Sequence, residues 1–124
     1  MSDAEKLRRA QALRDLVGFH LPVYQAARAL ALFPWDCAEE LVVLERSDAL
    51  RALERLSQGL VTAVGFRDWA QALEVRDDLG FEPGFGDLLK EFLFAASTPE
   101  LAGPLDGEAI RRWESVLRAS GGRA

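Results

Sequence analysis

Histidine, cysteine, methionine and tyrosine each occur once in this 124-residue chain. The single thiol, Cys37, closes no intramolecular disulfide, so nothing points to an oxidising compartment. Zinc prefers Cys and His ligands, and one of each falls short of a zinc site. His20 precedes Leu21-Pro22 at a helix entry and reads as a capping or surface residue, because a general base normally needs an orienting partner. Cys37 reads as a small half-buried side chain. Phosphate-cradling glycine loops and a serine nucleophile elbow are missing as well, so no catalytic residue, no cofactor and no enzyme activity are expected.

Long apolar runs are also lacking. None approaches the ~18 residues that a membrane helix needs, and Met1 to Leu7 is polar, without the apolar core of a signal peptide. The expectation is a bacterial cytoplasmic protein that does not meet the membrane. Lysine is nearly missing: thirteen of the fifteen basic residues are arginine, a skew we read as GC-rich coding. Acids outnumber bases 20 to 15, giving a formal charge of −5 and a pI near 4.9. That balance argues against nucleic acid as a partner, since affinity for phosphate comes mainly from clustered Lys and Arg.

What is present is the material of a core. Seven Phe and three Trp within a 49 % hydrophobic chain exclude disorder. Residues 1–124 are expected to form one all-α, bundle-like domain of five to six short helices, frayed at 1–2 and 120–124. The first helix runs from Asp3 to Val17, capped by Ser2 with Glu5 at capping-box spacing, striped by Leu7, Ala10, Leu13 and Leu16 or Val17, and stopped by Gly18. The second runs from Pro22 towards Phe33 and Pro34. Leu41-Val42-Val43-Leu44 is β-rich but has no obvious partner strand, so Trp35 to Arg46 reads as an extended or short 3₁₀ connection. Ser47 caps a third helix to Gln58, and Thr62 a fourth to Glu74, with Phe66, Trp69, Ala70 and Leu73 inward. An acidic loop follows, then a helix from Phe85 to Ala96, a turn or short helical piece at Pro99 to Gly103, and a last helix capped by Asp106, carrying Ile110, Trp113 and Leu117. Leu13-x-x-Leu16 with Gly18 also resembles Leu53-x-x-Leu56 with Gly59, a weak sign of repetition.

Charge is distributed unevenly. Between Asp68 and Glu91 seven acids face only Arg76 and Lys90, which leaves −5, the charge of the whole chain. Two readings fit. In one, these acids form a docking surface for a protein with a basic face: Asp77, Asp78 and Glu82 supply charge, and Trp35, Phe81 and Phe85 supply apolar anchors. In the other, the Arg76-Asp77-Asp78 loop is an internal brace, with Arg76 bonded to a carboxylate and the acids capping the next helix. Trp69 and Trp113, mid-stripe on their helices, are core residues under either. A metal-dependent reading would rest on Asp77, Asp78 and Glu82, but their spacing does not match a calcium-binding EF-hand loop, and no metal site is expected.

The segments Phe33-Pro34-Trp35-Asp36, Glu40-Leu41-Val42-Val43-Leu44 and Trp69-Ala70-x-x-Leu73-Glu74-x-Arg76-Asp77-Asp78-Leu79-Gly80-Phe81-Glu82 resemble a group of small bacterial helical proteins without an assigned activity. In that group an Asn-Pro-Glu turn follows; here Thr98 replaces the asparagine before Pro99-Glu100. The resemblance implies the helical fold. By looser analogy with small acidic helical proteins encoded beside bacterial toxins, it implies a toxin-neutralising immunity protein or antitoxin as the concrete form of the docking reading.

Overall fold

Helix boundaries follow local capping chemistry. Ser2 Oγ accepts the Glu5 amide at 3.1 Å and opens α1 (Asp3–Val17). Thr62 Oγ1 accepts the Gly65 amide at 2.9 Å and opens α4 (Ala63–Glu74). In the computed structural model, which describes residues 2–34 and 39–120, helices hold 67 % of the described residues and two strands are short. Between α1 and α4 lie α2 (Val23–Leu30), β1 (Val42–Leu44) and α3 (Arg46–Ser57). After α4 come β2 (Leu79–Phe81), α5 (Gly86–Ser97), α6 (Pro99–Ala102) and α7 (Gly107–Ser120), the last opened by Asp106 Oδ1 accepting the Ala109 amide at 2.9 Å. The fold is all-α, as expected.

Three local expectations need correction. Leu7 is 68 % exposed, and Arg9 takes its place on the buried face of α1 with Ala12, Leu13, Leu16 and Val17. At 100° per residue, position 7 lies well over a quarter-turn from the centre of that face and position 9 lies on it. The second helix ends at Leu30; residues 31–33 continue as a tight turn in which Phe33 N–H donates to Leu30 O at 3.1 Å. The third helix starts two residues early, because Asp48 reaches back to the Glu45 amide at 2.8 Å, making Glu45 the cap instead of Ser47.

The larger correction concerns Val42 to Leu44, which do have a partner. β1 pairs in parallel with β2, in the register Val42↔Leu79, Val43↔Gly80 and Leu44↔Phe81. Leu41 N–H donates to Asp78 O at 2.8 Å and Glu82 N–H to Leu44 O at 2.9 Å, extending the ladder at both ends. Parallel pairing requires a long crossover, supplied here by α3 and α4.

The α1–α2 and α3–α4 connections are built alike. His20 N–H donates to Asp15 O and Leu60 N–H to Arg55 O, both at 2.9 Å; Phe19 bonds Leu16 O and Gly59 bonds Leu56 O. Both elbows are therefore Schellman turns, 40 positions apart, with left-handed residues at Phe19 (φ 55°) and Gly59 (φ 75°). The left-handed residue of the first elbow is thus Phe19, not Gly18, and its ring is held flat against Trp69, 5.2 Å between centroids. Glycine adopts this conformation freely at 59, where an added Cβ would meet nothing within 4 Å. Gly59→Ala therefore loses about 1 kcal/mol from backbone strain alone, read as a lowered urea midpoint with an unchanged m-value.

One hydrophobic cluster joins the elements, from Ala12 and Leu13 to Ile110 and Leu117. The α4–α5 pair is its most extensive helix contact. At its centre Trp69 touches Phe66 (5.1 Å) and Phe92 (6.3 Å), and Phe92 meets Trp113 edge-on at 5.3 Å. The indole N–H donates to Val17 O at 3.2 Å, tying α4 to the end of α1.

Candidate interaction surfaces

The acidic segment folds largely onto its own arginines. Asp78 stands just before β2, with its side chain 0 % exposed. Arg76 Nε donates to its Oδ1 at 2.8 Å and Arg76 Nη2 to its Oδ2 at 2.9 Å. Arg9, 1 % exposed, donates Nε to Oδ2 at 2.8 Å and Nη1 to Pro34 O at 2.9 Å. One buried carboxylate thereby joins α1, the chain after α2 and the chain after α4. Burial pushes the Asp78 carboxyl up, but the hydrogen bonds and charges of Arg76 and Arg9 together outweigh it and hold it below its ordinary value.

Glu82, just past β2, is held in a second clasp. Arg46 Nη2 donates to its Oε2 at 2.6 Å, Arg46 Nε lies 3.1 Å from both oxygens, and the Arg46 amide donates to Oε1 at 2.9 Å. These side-chain and backbone bonds from Arg46 lower the Glu82 carboxyl from its ordinary value. The same guanidinium lies 3.7 Å above the Phe85 ring, a cation–π contact at the start of α5.

The expected docking residues thus differ in what they can offer a partner. Asp78 offers a partner no carboxylate, because both oxygens are buried and bonded; this corrects its expected role as a contact residue. Glu82 keeps only an edge outward, and Phe85 lies under Arg46. Phe81 is half-buried against the core with Lys90 Nζ 5.5 Å from its ring. Asp77 is exposed. Trp35 lies outside the described residues, as does Cys37. Arg76 bonds a carboxylate, yet no acid caps the next helix: Phe85 holds the cap position of α5, without a side-chain cap hydrogen bond. His20 Nδ1 sits 3.2 Å from Asp15 Oδ1 at the exposed first elbow. Among the described residues no group of three His, Cys, Asp or Glu is placed to hold a metal.

A different surface has no counterpart in the sequence pattern. The two elbows rim a groove of about 600 Å³ that includes Leu21, Tyr24, Leu60 and Val61. Tyr24 is 67 % and Leu60 65 % exposed. Through Phe19, His20 and Arg55 it adjoins a cleft of about 470 Å³ that also includes Arg14, Arg51, Glu45 and Asp48. Leu21 and Leu60 occupy corresponding turns next to loop signals, so periodicity could not place them. Only the packing of α2 and α4 against α1 and one another brings the elbows together. Comparison with protein-family models, curated proteins and solved structures finds no significant match for this chain.

Proposed function

We propose that this chain is a non-enzymatic protein-interaction domain that binds its partner through the elbow groove. The exposure of Tyr24, Leu60 and Leu21 around one concavity carries this reading. Large apolar side chains gathered at a rimmed groove are a usual mark of a protein contact, and the aromatic among them is the type of residue that dominates interface energetics. The test is capture of a stoichiometric partner from lysate of the source organism with tagged wild-type protein, repeated with Tyr24→Glu/Leu60→Glu. Capture that falls at least about tenfold in the variant, with an unchanged circular dichroism melt, is the expected result; a removed hot spot of about 2 kcal/mol is enough for that loss. Failure to capture any stoichiometric partner removes the proposal.

A second reading retains the acidic face. Asp77, Asp87 and Glu91 are exposed and make no ion pair among the described residues. Together they favour a partner with a basic surface, of which a toxin neutralised by this chain is the concrete case. A partner that is kept by Tyr24→Glu/Leu60→Glu but lost on Asp77→Lys/Glu91→Lys selects this reading over the groove.

A further inference from the structure

The groove and the adjoining cleft differ in chemistry, and the difference specifies an occupant. The groove is apolar at Leu21, Tyr24 and Leu60. The cleft is net cationic: Arg14, Arg51 and Arg55 line it against two carboxylates, Glu45 and Asp48. Of these, Asp48 accepts the Glu45 amide and binds Arg51, which leaves the exposed Glu45 against two arginines. Asp68, on the groove side, faces Arg67 at 3.5 Å. Arg14 and Arg55 make no ion pair with a carboxylate among the described residues, and both line the cleft together with the first elbow's Phe19 and His20. In a chain with five more acids than bases, two uncommitted guanidiniums in one concavity form a local reversal of sign.

Resting on the interaction reading above, we propose that the groove and cleft together bind an acidic peptide segment of a partner protein, with a large apolar residue seated among Leu21, Tyr24 and Leu60 and carboxylates paired with Arg14 and Arg55. Guanidinium forks match carboxylates two bonds at a time, which sets the direction in which the segment lies. The apolar anchor supplies most of the affinity, and the arginines supply orientation and selection against basic sequences.

Selection of a random 12-residue phage-displayed peptide library on the purified full chain tests this. The expected winners contain a Leu, Phe or Trp together with two or more Asp or Glu. The leading sequence, synthesised with a fluorescein label, should bind in anisotropy titrations with a Kd that weakens about tenfold in Arg14→Glu/Arg55→Glu, and by a similar factor in Tyr24→Ser/Leu60→Ser. Binding should also weaken as NaCl rises from about 50 to 300 mM, since exposed charge pairs are screened over that range. Neutral apolar winners that lose binding only in Tyr24→Ser/Leu60→Ser overturn the acidic occupant while leaving the groove as an interaction site. Basic winners, acidic winners indifferent to Arg14→Glu/Arg55→Glu, or no enrichment at all overturn the proposal outright. All of the altered side chains except Arg55 are exposed, and Arg55 is half-buried, so matching melts for the variants keep each comparison interpretable.

Discussion

Replacing Asp78 with alanine should lower the melting temperature by roughly 10–20 °C. The carboxylate lies between Arg9 and Arg76, and Arg9 is as buried as its partner. Removing one member of a buried pair strands the other charge, and such losses run to about 3–5 kcal/mol. Arg9 would retain its bond to Pro34 O but lose its counter-ion. Asp77→Ala is the matched control: Asp77 is exposed, so its loss should stay within about 0.5 kcal/mol. Thermal melts followed by circular dichroism separate the two. Equal, small shifts for both would mean that the buried bracket contributes little.

The bracket also sets an acid dependence. Asp78 and Glu82 both have folded-state pKa values below their ordinary ones. A depressed carboxyl binds fewer protons folded than unfolded, so its contribution is complete above the unfolded value near about pH 4 and is lost as pH falls through the folded value. Wild-type stability should therefore fall steeply below about pH 4, and Asp78→Ala, already missing one of the two groups, should fall less steeply over the same interval. Stability measured by urea titration at pH 5, 4 and 3 reads this directly.

Trp69→Ala should be comparably severe, at about 3–5 kcal/mol. The indole is fully buried and contacts three phenylalanine rings, Phe19, Phe66 and Phe92, so its removal leaves a cavity where α1, α4 and α5 meet. It also removes the surface that holds Phe19 in its left-handed conformation, so the first elbow should loosen with it. Trp69→Phe keeps most of the volume but leaves Val17 O without its donor, a loss of about 1–2 kcal/mol. The ordering Ala below Phe below wild type in urea midpoint is the expected result; a Trp69→Phe variant as poor as Trp69→Ala would assign the hydrogen bond more weight than the packing.

Much of the helical framework was legible in residue order because helices are made by neighbours. Ser2, Thr62 and Asp106 cap residues three positions ahead of them, and the stripe Phe66, Trp69, Ala70 and Leu73 lies on one face through the 3.6-residue period alone. Where residue order misled locally, a competing neighbour prevailed: Glu45 with Asp48 took the cap from Ser47. Neither candidate surface was legible to the same degree. The acids between Asp68 and Glu91 were visible, but not which of them face water: beside the neighbouring Arg76, Asp78 is engaged by Arg9, 69 positions away, and Glu82 by Arg46, 36 positions away.

Residue order by itself therefore determined the all-helical class, most of the caps and the core aromatics, because each depends on interactions within one or two turns. Tertiary structure alone decided that Val42 pairs with Leu79, that Asp78 is an internal anchor, and that the elbows around Leu21 and Leu60 share a groove. Those outcomes depend on which distant segments meet. Periodicity carries no information about that, because a three-residue strand and a single ionised side chain have no repeat to read.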